Sequence, residues 1–201
     1  MGSWRSAGAL VLVVGVGAAA CGSEAQPAKE SAAGASARVT KTLGEQEVRG
    51  VLPGPSDVPE GWRPRRAPEV RGQGEGGSVG FARRGYQAPD LDGVVGFGLH
   101  SFSSAKTSRV EFAGMQKRSE SSLVKPVRLD AVDEVIASKY CLGPGCFTFV
   151  QFRIGAVNGW VNLNVDDHPA ADPKVLNPLV RMFAERVRQV QQGEEPTASA
   201  R

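Results

Sequence analysis

Cysteine and histidine are scarce in this chain: three and two respectively in 201 residues. A dense disulfide framework and a histidine-rich metal centre are therefore excluded, and no metal ligand is assigned. Aromatic residues make up only 6%, so the few present carry much of any ring chemistry. Lys and Arg number 24 against 21 Asp and Glu, with no basic block, which gives no reason to expect a nucleic-acid partner. Nor is there an apolar run of the roughly 20 residues that a membrane-spanning helix needs. The longest, 7–20, has fourteen residues.

Catalytic motifs are equally sparse. No Gly-x-Ser-x-Gly elbow occurs, and neither His100 nor His168 has a recognisable Ser or Cys partner. Gly72, Gly74 and Gly77 satisfy the letters of a dinucleotide fingerprint, but that motif requires a preceding strand and a following helix. Here a Pro- and Arg-rich stretch precedes it and strand-like residues follow. No catalytic residue and no cofactor is assigned. Carboxylate groupings that an enzyme could use are Asp130, Asp133 and Glu134, and Asp166 and Asp167 beside His168. They keep open an alternative: a cell-wall or polysaccharide-active hydrolase.

The N-terminus has the parts of a secretory signal: Arg5, the apolar stretch, then Ala18-Ala19-Ala20-Cys21. Small residues running into a cysteine resemble the lipobox of bacterial lipoproteins, although Ala18 stands where that motif usually has Leu. The resemblance implies removal of 1–20 and lipidation of Cys21, hence a cell-membrane anchor on the extracytoplasmic face. Only Arg5 is lost from the charged residues, leaving 23 basic and 21 acidic side chains. Residues 21–47 are poor in large apolar side chains and read as a disordered tether.

Residues 48–193 are expected to form one domain, followed by a polar tail at 194–201. Trp62 reads as an anchor onto the core, and 63–77 as a loop. Val95, Phe97 and Leu99 alternate on one face of a strand, and a helix is expected from Ser103 or Ser104 to about Ser119. Residues 133–140, 147–154 and 159–165 read as a three-strand meander, in which Val161, Leu163 and Val165 alternate with Trp160, Asn162 and Asn164. A last helix begins at Asn177 and Pro178 and stops at Gly193. Its apolar stripe is Leu179, Val180, Phe183, Val187 and Val190, with Arg181, Arg186 and Arg188 assigned to water. Together these elements predict an α+β fold: a twisted antiparallel sheet with about two helices on one face.

With Cys21 assigned to lipid, Cys141 and Cys146 remain as a pair around Leu142-Gly143-Pro144-Gly145. The intervening residues turn easily and bring flanking strands face to face, within reach of a disulfide. A structural disulfide contributing about 2 kcal/mol is expected, with a redox or zinc role as the alternative.

The Leu52-Pro53 to Pro59-Glu60-Gly61-Trp62 opening, the hairpin from Phe149 to Val165 and the closing helix from Pro178 resemble the extracellular sensor domains of PknH-type serine/threonine kinases. Actinobacterial lipoproteins of similar layout share them. The resemblance implies an extracytoplasmic binding or sensing module with a cleft. Its partner would be an envelope protein, a lipid or a cell-wall fragment, and the membrane would be met through the lipid. That family has two disulfides, whereas this chain can form one. No ligand contact carries over by residue. The possible binding surface is therefore read from the strand itself: Trp160, Asn162 and Asn164, with Trp160 alternatively covering the edge of the core.

Overall fold

The computed structural model describes residues 41–125, 128–130 and 132–200. Cys21 and the signal segment lie outside the described residues. Strands β1 (Arg63–Pro64), β2 (Glu69–Arg71), β3 (Gly80–Ala88), β4 (Gly93–Ser101), β5 (Leu123–Val124), β6 (Glu134–Leu142), β7 (Gly145–Ile154) and β8 (Val157–Asp166) form one sheet. Its order is β1-β3-β4-β8-β7-β6-β5, with β2 also on β3. Every pairing is antiparallel. Helices α1 (Glu45–Val51), α2 (Ala105–Arg118) and α3 (Asn177–Gln192) complete the α+β fold.

The expected meander is β6-β7-β8. Its first turn is Gly143-Pro144, between paired Leu142 and Gly145, with Gly143 at φ +61. Its second is Gly155-Ala156, with Gly155 at φ +55. A side chain at either glycine would strain the backbone. Cys141 pairs directly with Cys146 in the ladder, and the two form a disulfide.

Alternation along the strands makes one face the core. Val95, Phe97 and Leu99 of β4 pair across to Leu163, Val161 and Gly159 of β8, and Val150 and Phe152 of β7 continue the same face. Phe183 of α3 meets Phe97 and Phe152 edge-on at centroid distances of 5.5 and 6.0 Å. Val180, Phe183 and Val187 are fully buried, each worth roughly 1.5–3 kcal/mol. Helix α1 lies beside α3 on this face, burying Val48 and Val51.

Five expectations need correction. Residues 41–47, assigned to the tether, are packed. Leu43 is fully buried and donates its backbone N–H to Ser101 Oγ, and Glu47 accepts from the Gly44 N–H to start α1. Two apolar anchors, Leu43 and Val48, suffice to order a stretch that looks featureless by composition. The tail at 194–201 also returns to the fold, since Ala200 N–H donates to Asp57 O. The 63–77 loop contains β1 and β2, which pair with the β3 edge.

The fourth correction concerns helices. The two on the core face are α1 and α3. Helix α2 instead lies against the end of the opposite face, where its Ser108 Oγ donates to Asn158 Oδ1 and Asn158 Nδ2 returns a bond to Ser108 O. Its stripe holds only Ser108 and Phe112 as buried residues, too little apolar surface to compete for the main core.

Arg186 is not in water either. Its side chain is only 6% exposed and forms an ion pair with Asp57 at 3.1 Å. It donates to the carbonyls of Val51 (2.8 Å) and Ala198 (3.0 Å), and more weakly to Gly50 and Leu52. A strictly apolar stripe hid it, because a guanidinium can sit at a helix edge and satisfy carbonyls that would otherwise be buried unpaired. Arg186→Leu is expected to lower stability by about 3 kcal/mol in chemical denaturation and to expose the 195–200 segment to proteolysis first.

Tyr86 offers a second test. Its fully buried hydroxyl donates to Pro53 O at 2.6 Å. Burial pushes its pKa above the ordinary 10.0, with Arg84 opposing that shift. A raised folded pKa means that the contribution is complete below about pH 10 and is lost as pH rises through the folded value. Stability followed by urea unfolding is expected to fall above pH 10. Tyr86→Phe is expected to flatten that fall while costing about 1 kcal/mol at neutral pH.

Candidate binding face

The side of the sheet away from α1 and α3 is the one that carries Trp160, Asn162 and Asn164. On β4 the residues opposite them are Gly98, Gly96 and Val94. These glycines are what gives the face its relief. A Cβ on Gly98 would fall 2.1 Å from Trp160 Cζ2, so the indole lies across the glycine. A Cβ on Gly96 would fall 2.5 Å from Asn162 Oδ1. Trp160 therefore sits neither in the core nor at its edge, but on the outer surface, half-buried.

Further rings gather around it. His100 lies 5.3 Å from the Trp160 ring and 4.9 Å from Phe81, and its Nδ1 is 3.2 Å from Ser78 Oγ. On the other side, Tyr140, Phe147 and Phe149 stack at centroid distances of 5.3–6.3 Å. Phe149 pairs with Asn162 and Phe147 with Asn164. The oxygens Gln151 Oε1 and Asn164 Oδ1 on this face are buried with no hydrogen-bond partner among the described residues. Such acceptors cost roughly 1–3 kcal/mol each, a burden on folding rather than a gain.

Charge enters from the β1, β2 and β3 side. Glu69 forms ion pairs with Arg71 and with Arg83, the latter at 2.6 Å. Arg65 and Arg66, both exposed, make no ion pair among the described residues. Arg65, Arg66, Arg83, Phe149, Trp160 and Asn162 wall a depression of about 540 Å³ floored by Gly85 and Gly96. That size lies within the ordinary range of ligand sites. A neighbouring depression of about 280 Å³ lies against Phe81 and His100, and a third of about 400 Å³ reaches α2 at Met115 and Arg118.

Of the residues singled out from sequence, the structure brings together Trp160, Asn162 and Asn164. Sequence reading missed the rings of Phe81, Tyr140, Phe147 and Phe149, together with Arg65, Arg66 and Arg83. The signal for Phe147 and Phe149 was present in the alternation of 147–154, once a single register fixes which parity faces out. Nothing local marks 63–71 as strand, so its arginines could not be placed.

The carboxylates do not assemble a hydrolytic pair. Asp133 and Glu134 both bind Arg153, at 2.8 and 2.6 Å, and Arg153 is only 4% exposed. Asp133 also accepts from the Gly155 N–H. These groups hold the β6-β7 and β7-β8 junctions. Asp166 lies opposite Gly145, whereas Glu134 lies opposite Arg153. Eight residues of β7 separate those positions, about 26 Å at 3.3 Å per residue. Paired glycosidase carboxyls stand at most about 9.5 Å apart. Asp130 is exposed, in a hollow of about 250 Å³ beside Arg181 and Glu185. His168 pairs with Asp92 at 3.0 Å, in solvent. No group of three or more metal-ligating side chains occurs among the described residues. Gly72 and Gly74 follow β2, and Gly77 ends a short 3-10 turn (Glu75–Gly77) that leads into β3, so no α-helix follows as the fingerprint requires.

The Gly98–Trp160 contact provides a direct test of how the face is built. Gly98→Ala is expected to cost about 1–3 kcal/mol and to force the indole outward. The readout is a red shift in tryptophan emission that is absent when Trp160→Phe is added. An unshifted spectrum would mean that the indole does not rest on Gly98.

No protein-family model matches the chain, and no curated protein matches it in sequence. Among solved structures, the extracellular domain of PknH from Mycobacterium tuberculosis is similar at a TM-score of 0.43 and 8% identity, covering 77% of this chain and 100% of that domain. The likeness is one of layout alone, and nothing about the site is taken from it.

Proposed function

We propose that this chain is a lipid-anchored, extracytoplasmic binding or sensing module of the cell envelope, non-catalytic, which holds its ligand on the open face of its sheet. The observation that carries the reading is the inequality of the two faces. One is buried under α1 and α3. Among the described residues, the other is covered by α2 only at one end, and over the rest presents rings, amides and guanidinium groups around a glycine floor. A sheet face kept open and furnished in this way is suited to contact.

Placement outside the cytoplasm is supported by two features. The short apolar segment ending at Cys21 has the form of a lipoprotein signal, and the Cys141–Cys146 disulfide belongs to an oxidising compartment. No helix among the described residues is long and apolar enough to cross a membrane, so the lipid would be the anchor in this reading. Residues 41–47 then belong to the folded part, and 21–40, expected from sequence to be tether, lie outside the described residues.

Two measurements test the proposal. Metabolic labelling with a fatty-acid analogue should mark the wild-type chain, and Cys21→Ala should lose both label and membrane retention. A photo-crosslinking residue placed at Asn162 should capture an envelope component that one placed at Arg181, exposed on α3, does not. Equal capture from both positions would refute the binding face, and retained label in Cys21→Ala would refute the anchor.

A further inference from the structure

The geometry points to an anionic polysaccharide, with carboxylates on its sugar rings, as the ligand class of this face; the inference rests on the binding-face reading above. The three depressions share walls. Glu69, Arg83 and Trp160 line the first and second, and His100 lines the second and third. They join into one trough along β4 from Val94 to His100, six residues or about 20 Å in length. A trough of that length, open along its side, suits a linear polymer better than a compact small molecule.

The chemistry of its walls is of two kinds. Trp160, Phe81 and Phe149 offer ring surfaces, on which the C–H face of a sugar ring can rest. Arg65, Arg66, Arg71, Arg83 and Arg118 supply five guanidinium groups against the two carboxylates of Glu69 and Glu111. An occupant must therefore bring negative charge. A carboxylate on a ring carbon lies close to the stacking face of its sugar, within reach of planar, bidentate guanidinium donors at the trough wall. Asn162 can both donate to and accept from hydroxyls.

A peptide would enter differently. Extended peptides add to a free sheet edge through their backbone, but β4 and β8 are each paired on both sides. The trough thus offers side chains and no backbone ladder. Single-stranded nucleic acid uses rings and cations in a similar way, and serves as the competing outcome below.

The test is calorimetric titration of the full chain in detergent with oligogalacturonate, its methyl ester and oligothymidylate. The free acid should bind, with affinity falling as salt is raised. The methyl ester, which keeps the sugar and removes the charge, should bind at least about tenfold more weakly, and Arg66→Ala should weaken the acid by about tenfold. Trp160→Leu should abolish binding. Arg66 is exposed, so its loss leaves the fold intact even if Trp160→Leu does not fold. Equal affinity for acid and ester, tighter binding of oligothymidylate, or no binding of the acid would each overturn the polysaccharide assignment and leave the binding face standing. Acid binding that neither Arg66→Ala nor Trp160→Leu alters would overturn the binding face as well.

Discussion

The register between β4 and β8 is the constraint on which the rest of the molecule depends. It sets Val95, Phe97 and Leu99 level with Leu163, Val161 and Gly159, and in the same stroke sets Gly96 and Gly98 level with Asn162 and Trp160. Because side chains alternate with a period of two, a slip of one residue would send the whole apolar set outward. One glycine contact opposes such a slip, and a second, on the other face, fixes the adjoining register of β7 against β8. Trp160 lies across Gly98 on one face, and the Phe152 ring lies where a Cβ on Gly159 would sit on the other. Each large ring needs a residue without a side chain beside it. A slip of one residue would set Trp160 opposite Phe97 or Leu99 instead.

Once that register holds, the termini have a fixed surface to close on, and Arg186 does the closing. It joins the end of α1, Asp57 and the returning tail through one guanidinium. The ion pair itself adds little, since burying both charges costs much of what their attraction returns. What matters is that Arg186 satisfies several backbone carbonyls at once. Burial lowers its pKa, with Asp57 opposing that shift, yet an arginine remains charged across the accessible range. The cluster therefore acts as a permanent fastening rather than a switch.

These two features explain what could and could not be foreseen from the amino-acid order. The meander, α3, the cysteine turn and the alternation that exposes Trp160, Asn162 and Asn164 were legible, because period and turn chemistry are local signals. The position of α2 was not, because a helix with a weak stripe is placed by competition for the core, which α1 wins through Leu43, Val48 and Val51. Arg186 was misread for a related reason. Its burial depends on carbonyls more than 130 residues away in the chain. The arginine side of the open face was hidden because β1 and β2 are only two and three residues long and acquire their shape from the β3 edge.

The same constraint bears on what the open face can do. Association costs ordering entropy for every side chain that must be immobilised. Here much of that ordering is already present in the folded chain. Trp160 is held on Gly98 between neighbouring rings, and Tyr140, Phe147 and Phe149 stack on one another beside a disulfide that ties their strands. The long guanidinium side chains of Arg65 and Arg66 remain exposed and unpaired with carboxylates among the described residues. A ring platform bordered by exposed cations divides the work of recognition. The rings fix where a ligand lies, while the arginines adjust to where its charges fall, so a polymer with irregularly spaced charges could be held without a register of its own.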